Sequence, residues 1–494
     1  MTPTCAEDIG RFVAGLKLDD VPESVVRKAK EQFLSVMGAI YAGAATIPVD
    51  VVRRTVVGYG SRPEATTFPW GDRLSALDAI TVNSASSISL DYDDYLLAGH
   101  TGGSAVPVPL ALGEKLDAPG GDVLLAQIVA NEVAGRLGIA AFLSIQNGQS
   151  WSFIHLVGAA CAASKLLGLS ARQVAHAVGT SLYQATFSIW RGFMGPHSKV
   201  LTAAIPAKIG VEAAHLAKNG FTGALDVVEA PLGFLKMFAD VPIEGVASDA
   251  LGEAWVTETL SFKVVPGCAY VDAIADCVEE LYRRVPDLDV GRVREVRIRS
   301  NLTSSLMDDL SRPYATLEAV RAYRSHVALN FYLPYVTAVA LLDRELTPRQ
   351  YSPERYLDPA VHEFAKKVKN LPDPAQNRNA LNMFARVRLP ELRRLFSGGL
   401  SLRDVDLEHL GVYFSGGLEV EMDDGTVHVV NVAIPKGAAG NPRPMSEKFS
   451  REAAPYLSEG RRSRALALVK KIEDLTSISE LVQELVGDRE APRG

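Results

Sequence analysis

The sequence predicts a mainly α-helical protein that carries an α+β part. From about residue 5 to residue 258, Ala-rich apolar runs broken by Gly and Pro have the spacing of helices. Short β-branched alternations follow, and helical segments are interleaved with them. From Ser446 onward the pattern is helical and charged again, so the last helices could return to pack on the first part. The α+β part would then be an insertion.

The first part is predicted to consist of long helices. The segment 75–90 is rich in Ala, Ser, Ile and Leu without the alternation of a strand, which indicates a buried helix. Ala-rich runs predict further helices at 122–143, 156–169 and 205–219.

The second part is predicted to combine strands and helices. The segment 412–434 contains Asp423-Asp424-Gly425-Thr426, which is typical of a hairpin turn between two strands. Other strands are predicted at 292–299 and 386–389, and helices at 268–284, 326–343 and 358–370.

Composition narrows the class of protein. With 494 residues, 47% of them hydrophobic, the chain should form two domains or one large domain with a lid. The net charge of -7, with acids and bases mixed along the chain, argues against a nucleic-acid partner. The four cysteines have no metal-ligand spacing, so reduced thiols in a cytoplasmic protein are expected: Cys5, Cys161, Cys268 and Cys277.

No membrane partner is expected either. The N-terminal residues lack a basic region followed by an apolar run, which argues against a secretory signal. The longest apolar stretch, 327–342, is broken by Asn330 and Pro334 and is shorter than the ~20 residues that a membrane span requires. We therefore expect a soluble, cytoplasmic protein.

The segment 91–105, DYDDYLLAGHTGGSA, predicts an acid–base site. It brings three carboxylates and one histidine together within ten residues. Neighbouring carboxylates raise each other's proton affinity, and a histidine beside them can transfer protons near neutral pH. The acids follow a predicted helix, whose C-terminus does not stabilise negative charge, so they need hydrogen bonds, a cation or a ligand. The alternative is a solvated acidic turn followed by a Gly-rich loop.

Several motifs in one order resemble the MmgE/PrpD family over nearly the whole chain. They begin with DxDD and a histidine at Asp91 to His100 and end with VAIPKGAAGNPRP at 432–444. Between them lie Glu132 and Arg136, SKLLGL at 164–169, Ser198-Lys199 followed by PAKIGVEAAHLAKNGFTGA at 206–224, Phe262-Lys263, and Tyr335 before a VALLD run that ends at Asp343.

The resemblance implies an architecture and a chemistry. The architecture is a large all-helical domain built from both chain ends, 1–258 and 441–494, with a smaller α+β lid domain at 259–440. The chemistry is cofactor-independent proton transfer at carbon beside a carboxylate of a small polycarboxylate substrate. Loss of water, loss of carbon dioxide or epimerisation accompanies it, so the enzyme would be a lyase or an isomerase. The resemblance also implies a homodimer.

The resemblance assigns catalytic roles to five residues. His100 is the proton-transferring group and Asp91 the carboxylate near it. Lys199 and Lys263 would each pair with a substrate carboxylate and stabilise developing negative charge. Tyr335 would donate a proton or a hydrogen bond to the substrate, whereas its apolar surroundings alone favour core packing.

The chain departs from the family pattern near the site. Tyr95 stands where many relatives have Thr after the acids, and Thr101 stands where they have Pro after the histidine. Gln149 and Ser150 occupy the place of a second histidine of decarboxylase-like relatives, and His155 lies six positions after Gln149. Trp190 and Arg191 lie near these motifs and could also line the pocket. The residues predicted to bind substrate are Asp94, Tyr95, Gln149, Trp151 and His197.

Three other functions remain open. Carboxylates and imidazole suit Mn, Fe or Zn, so a metal enzyme using Asp91, Asp93, Asp94 and His100 is a chemical alternative, although the family resemblance implies no metal. A helical scaffold with a degenerate site is the non-enzyme alternative. The DxDD motif also occurs in class II terpene cyclases, but four Trp in the chain do not supply an aromatic-rich pocket.

Overall fold

Two hydrophobic cores organise the chain, a larger one made of helices and a smaller one that includes a four-stranded sheet. The computed structural model describes residues 3–97, 99–142, 152–377, 401–408, 410–411 and 414–488. Within them, the mainly helical class with an α+β part is confirmed. All four cysteines are buried and unpaired.

The first helices begin where the sequence supplies caps. At the start of Cys5–Gly15, the Thr4 side chain accepts a hydrogen bond from the Glu7 amide, and the Glu7 side chain accepts one from the Thr4 amide. At the start of the buried helix Ala76–Ile88, the Ser75 side chain accepts a hydrogen bond from the Asp78 amide. The predicted helices of this part are confirmed. The segment forms helices at Cys5–Gly15, Glu23–Ala44, Ile47–Val57, Ala76–Ile88, Gly102–Ala105, Pro107–Leu116, Gly120–Ala140, Ser152–Leu166, Ala171–Leu182, Trp190–Phe193, Leu201–Lys218 and Phe234–Phe238.

The lid contains a mixed sheet. Val368–Pro372 pairs in parallel with Val293–Ser300, which pairs antiparallel with Gly416–Met422, and Gly416–Met422 pairs antiparallel with Val427–Val432. The predicted hairpin turn is confirmed, with Gly425 at φ 85°. The lid helices are Val271–Arg284, Leu302–Ser311, Leu317–Tyr323, Leu333–Asp343, Pro353–Tyr356 and Pro359–Ala365.

One predicted helix of the lid is wrong in its second half. The helix expected at 358–370 ends at Ala365, and Val368–Pro372 is the edge strand of the sheet. Val361, Phe364 and Ala365 complete the apolar face of a short helix, and Val368 then packs in the same core from a strand. The strand predicted at 386–389 lies outside the described residues.

The C-terminal helices pack on the first core. They are Met445–Ala453, Glu459–Lys470 and Ser479–Leu485, and their apolar residues join the core of the N-terminal helices. The rings of Phe449 and Tyr456 pack on Tyr41, whose hydroxyl donates to the Leu485 carbonyl at 2.6 Å. Residues 402–410, expected in the lid, also contribute Leu402, Leu407 and Leu410 to this core. The exact domain boundaries stay a prediction.

Among the described residues, two helices are long and apolar enough to cross a membrane by length and composition, and the bent pair Glu23–Ala44 and Ile47–Val57 would be a third span if it is counted as one. The two helices are Gly120–Ala140 and His197–Lys218, the second counted with the turn before it. The apolar window of the first is 100% buried among its neighbours and that of the second 61%. Packing inside the fold therefore accounts for the apolar surface of the first and for most of that of the second.

A buried ion pair fixes the central helix Gly120–Ala140. Arg136 donates to the Glu132 carboxylate at 2.7 Å, and both side chains are almost wholly buried. Glu132 also accepts the backbone amides of Val256 and Thr257, while Arg136 donates to the Ala254 carbonyl. The motif that the sequence shares with the family therefore joins this helix to the segment that leads into the lid.

We expect Glu132→Gln to destabilise the fold strongly. Removing one partner leaves the Arg136 guanidinium buried without its counter-charge, which costs about 3–5 kcal/mol. The free energy of unfolding in urea measures the effect. Glu363→Gln is the control, because Glu363 pairs with Lys366 on the exposed surface, and its unfolding midpoint should match the wild type. Equal midpoints for both variants would contradict this role of the pair.

Candidate active site

The acidic segment turns sharply after the helix Ala76–Ile88. Asp91 has a φ of 53°, a left-handed conformation that Asp tolerates better than most residues, and its amide donates to the Ile88 carbonyl at 3.1 Å. The next residues form the short strand Asp94–Tyr95, which pairs antiparallel with Ser261–Phe262. This two-stranded ladder places Lys263 directly beside the acids.

Two lysines from distant parts of the chain converge on Asp91. Lys199, in the 3-10 turn His197–Val200, donates to one Asp91 oxygen at 2.6 Å. Lys263 donates to the other oxygen at 3.0 Å and to Asp93 at 3.0 Å. All four side chains are no more than 2% exposed. The structure thus confirms that the acids lie at a helix end and supplies the cations they require.

The hydrogen-bond donors of the two lysines are not equally used. Lys263 Nζ donates to the Asp91 carbonyl at 2.7 Å as well as to the two carboxylates, so all three of its N–H groups are engaged. Lys199 Nζ donates to Asp91 and to the Ile88 carbonyl at 2.7 Å, so its third N–H group has no hydrogen-bond acceptor among the residues that the structure describes. The role predicted for Lys263 therefore changes: it neutralises the acids and has no donor left for a substrate carboxylate.

The protonation of the cluster follows from these contacts. Burial alone would raise the pKa of Asp91 and Asp93, but Lys199 and Lys263 hold the pKa of Asp91 below its usual value, and Lys263 and His100 do so for Asp93. Burial would likewise lower the pKa of Lys263, and Asp91 and Asp93 raise it instead. Two ammonium groups thus face two carboxylates, and their charges balance.

His100 lies at the edge of the cluster with one ring nitrogen fixed. Its Nδ1 is 2.7 Å from the Asp94 carbonyl oxygen and 3.6 Å from an Asp93 oxygen. A carbonyl only accepts, so Nδ1 carries the proton and Nε2 of the neutral ring is left as a base. The His100 side chain is 15% exposed, more than the other cluster members described above. Asp93, and not Asp91 as predicted, is the carboxylate that approaches this ring.

Asp94 faces the glycine loop behind His100. One of its oxygens accepts from the Gly102 amide at 3.0 Å, and the other has no hydrogen-bond partner among the described residues. A Cβ at Gly102 would stand 2.6 Å from that second oxygen, so only glycine fits there. Burial first and Asp93 second raise the pKa of Asp94 to about 6. Asp94 can therefore carry a proton near neutral pH.

Tyr95 occupies the space beside His100. Its ring lies 6.3 Å from the His100 ring and 6.1 Å from Phe414, and the side chain is buried. Burial raises the pKa of its phenol, which stays neutral. The structure places Tyr95 beside His100, where its bulk narrows this side of the site, and its predicted role in binding substrate stays a prediction.

Other predicted site residues lie elsewhere. Tyr335 is buried in the lid core, where its hydroxyl donates to the Gln350 carbonyl and its ring packs near Tyr351 and His362. Core packing thus accounts for Tyr335, and a catalytic role would require that bond to break. His197 is half-buried and its Nε2 bonds to a backbone carbonyl at 3.0 Å. Gln149 and Trp151 lie outside the described residues.

The sequence did not point to Lys448. Its ammonium donates to Ser35 at 2.9 Å, to the Lys263 carbonyl at 3.1 Å and to the Tyr92 carbonyl, and burial lowers its pKa to about 7. It also lines a cavity of about 740 Å³ whose walls include none of the cluster residues described above. Lys448 lies between Met445 and Phe449 on the buried face of the helix Met445–Ala453. A lysine on an apolar helix face is the sequence signal that could have indicated a buried, functional cation.

Phe193 and Phe331 were also missed. Their rings lie 5.9 Å and 5.5 Å from the Lys199 ammonium, over which they form an aromatic cover. They come from opposite domains, so no local pattern of the sequence joins them.

Comparison with known proteins identifies both parts of the chain. The MmgE/PrpD N-terminal domain matches residues 7–244 and the MmgE/PrpD C-terminal domain matches residues 265–474. The cis-aconitate decarboxylase of Homo sapiens is 26% identical over 503 residues, which cover 99% of this chain and 95% of that protein. The Mus musculus enzyme is 27% identical over 390 residues, 76% and 77% of the two chains. An Aspergillus terreus cis-aconitate decarboxylase is 26% identical over 430 residues, 82% and 85%.

We expect Lys263→Met to destabilise the protein by about 3–5 kcal/mol near neutral pH, since it leaves two buried carboxylates without a shared cation. The lowered pKa values of Asp91 and Asp93 give the wild type stability that is present above the unfolded pKa and is lost as the pH falls through the folded values. In the variant those pKa values rise, so its stability should depend less on pH between pH 6 and pH 2.

Urea unfolding at a series of pH values measures this dependence. Lys366→Met is the control, because Lys366 is exposed and bonds only to Glu363. A Lys263→Met variant with wild-type stability and an unchanged pH slope would show that the cluster does not depend on this lysine.

Proposed function

Because the chain belongs to the MmgE/PrpD family, we propose that it is a lyase that moves a proton at carbon beside a carboxylate of a small polycarboxylate. The observation that carries this proposal is the state of His100. Its Nδ1 faces the Asp94 carbonyl, which only accepts, and no described residue forms a hydrogen bond with Nε2, so Nε2 is the nitrogen that can exchange a proton with a substrate at the edge of a buried cluster.

In loss of water and in epimerisation, His100 acts first. Its Nε2 takes a proton from the carbon next to a substrate carboxylate, and the electron pair of that C–H bond moves toward the carboxylate. The remaining N–H group of Lys199 stabilises the negative charge that develops there. The partly protonated Asp94 lies behind the same loop and can hold a substrate hydroxyl by a hydrogen bond.

Loss of carbon dioxide is the outcome that the relatives support, since the three compared above are named cis-aconitate decarboxylases. Loss of water and epimerisation begin with this proton abstraction. In loss of carbon dioxide the C–C bond breaks, its electron pair stays on the substrate, and the protonated form of His100 delivers a proton to carbon. The substrate decides among the three. We propose that the reaction needs no cofactor and that the enzyme is a homodimer, as the family resemblance implies, and that it is cytoplasmic, as the cysteine pattern predicts.

A screen of di- and tricarboxylates in deuterated water, followed by proton NMR, tests the proposal. A lyase converts one of them to a product that has lost carbon dioxide or water, whereas an epimerase exchanges a carbon-bound proton for deuterium without net loss. If none of the acids is converted and none raises the melting temperature of the protein, the proposed substrate class is wrong.

In a metal enzyme, Asp91 and Asp93 would bind a divalent cation. Their oxygens accept from lysine ammonium groups, which a divalent cation would have to displace. Within the described residues, no group of three or more His, Cys, Asp or Glu side chains is arranged to hold a metal ion. We therefore favour direct proton transfer over metal catalysis.

We predict that turnover of the identified polycarboxylate does not change after dialysis against a strong chelator. The lysines supply the positive charge that a metal would otherwise supply. Elemental analysis of the dialysed protein measures its metal content. A rate assay measures turnover before dialysis, after dialysis, and after Mg, Mn, Fe or Zn is added back one at a time. Activity that disappears on dialysis and returns with one of these ions would favour the metal enzyme.

We predict that His100→Gln lowers turnover by about 10²-fold or more, because general base catalysis is lost. The melting temperature should stay near that of the wild type, since His100 lies at the edge of the cluster. His176→Gln is the matched control, a half-buried histidine of the helix Ala171–Leu182 that bonds to a backbone carbonyl. Wild-type turnover by His100→Gln would remove the assigned base.

A further inference from the structure

Lys448 bonds to the backbone of the acidic cluster and not to its carboxylates. It belongs to the C-terminal helix Met445–Ala453 and is only 2% exposed. Its ammonium donates to the Ser35 hydroxyl at 2.9 Å, to the Lys263 carbonyl at 3.1 Å and to the Tyr92 carbonyl. These three contacts use all of its N–H groups.

The three acceptors belong to three segments that meet at this ammonium. Ser35 lies in the helix Glu23–Ala44 of the helical part. Tyr92 stands between the two acids that the lysines neutralise, and Lys263 is one of those lysines. A single buried cation therefore holds the main chain on both sides of the ion pairs.

The same helix also holds the side chain of Tyr92. The Lys448 ammonium lies 3.9 Å from the centre of the Tyr92 ring. The Tyr92 hydroxyl donates to the Val264 carbonyl at 2.9 Å and accepts a hydrogen bond from Arg451. Both ends of this residue are thus fixed, and the acids on either side of it cannot shift independently.

The spacing of the cluster depends on the two backbone carbonyls that Lys448 holds. The Lys263 ammonium is 3.0 Å from an Asp93 oxygen, and an Asp93 oxygen is 3.6 Å from Nδ1 of His100. Without a donor for the carbonyls of Tyr92 and Lys263, the peptides that carry these groups would be free to turn. A displacement of about 1 Å at a catalytic group can cost about 10²-fold in rate.

We propose that Lys448 is a positioning residue of this site, whose ammonium holds the main chain of Tyr92 and Lys263 so that Asp93 and Lys263 keep their places beside His100. This inference rests on the proposed lyase function and deepens it, because it assigns the C-terminal helix a part in the reaction. In this role Lys448 acts through the cluster and does not contact the substrate.

The positioning contacts require the charged form of Lys448. An ammonium group has three N–H groups for its three acceptors, whereas a neutral amine has two and turns a lone pair toward the third acceptor. Burial lowers the pKa of Lys448 to about 7. The charged form is present below this value and is lost as the pH rises through it, so turnover should fall on the alkaline side.

The charges around Lys448 come from several elements. The acidic segment and the helix of Lys448 itself supply carboxylates that raise its pKa, and the lid supplies an ammonium that lowers it: Asp93, Asp94, Glu452 and Lys263. Arg451 of the same helix bonds to Glu452 and to Tyr92. Across the cavity that Lys448 lines, Lys436 pairs with Asp276 and Glu279. The helix Glu23–Ala44 presents the uncharged Ser35.

Kinetics of Lys448→Met test the inference, with cis-aconitate and citrate as the first probes and any acid found in the screen after them. We expect kcat to fall by about 10²-fold while KM changes less than about threefold. The alkaline limb of the pH profile of kcat should disappear, because the group that titrates there is gone. Lys448→Arg keeps a permanent charge and should restore part of kcat without restoring this limb.

Lys165→Met is the matched control. Lys165 is a half-buried lysine of the helix Ser152–Leu166 that donates to the backbone carbonyls of Val13 and Leu16. This variant should lose stability and keep the kcat and pH profile of the wild type. Ser35→Ala removes one acceptor and should lower kcat less than Lys448→Met does. Where Lys448→Met does not fold, the kinetics of Lys448→Arg and Ser35→Ala decide.

The outcomes separate the two proposals. A wild-type protein that neither binds nor converts any di- or tricarboxylate overturns the lyase proposal itself. An active wild type whose Lys448→Met variant keeps its kcat, or loses it with an unchanged pH profile, overturns the role of Lys448 alone. An equal loss of kcat in Lys165→Met does the same, since the effect would then come from stability.

Discussion

The arrangement of the site depends on the carboxylate of Asp91, because it accepts hydrogen bonds from lysine ammonium groups of both domains. Lys199 reaches it from the helical part and Lys263 from the first residues of the lid. Two buried cations without this carboxylate would repel each other in a medium that screens charge poorly. Asp91 therefore joins the domains and sets the position of both lysines, and its left-handed backbone is the local cost.

Charge balance inside the cluster changes how an anionic substrate can be held. Two ammonium groups already neutralise Asp91 and Asp93, so a polycarboxylate does not meet an uncompensated cationic pocket. The remaining attractions are directional: one N–H group of Lys199 and the protonated fraction of Asp94. Hydrogen bonds of this kind orient a bound substrate toward His100, but they do not attract an anionic substrate from a distance.

The sequence predicted the elements whose signals are local. Apolar spacing predicted the helices, and the acidic segment after 75–90 predicted the site. The contact of Lys448 with Tyr92 and that of Phe331 with Lys199 were not predictable, since each joins residues more than a hundred positions apart. The edge strand Val368–Pro372 was missed for a related reason, because its pairing with Val293–Ser300 is absent from any local pattern. Tyr335 had two interpretations, and the structure places it in packing.

The same limit explains why one alignment position is a poor guide to the number of proton carriers. Gln149 suggests that a histidine has been lost, yet function depends on where an imidazole stands in space. His155, six positions after Gln149, lies in the buried helix Ser152–Leu166, and its Nδ1 is 2.9 Å from the hydroxyl of Ser104, four residues after His100. Tyr95 narrows the site beside His100, so a substrate would meet a tighter pocket there. Such a change alters which acid fits without altering the base, which is how one fold can host several lyase reactions.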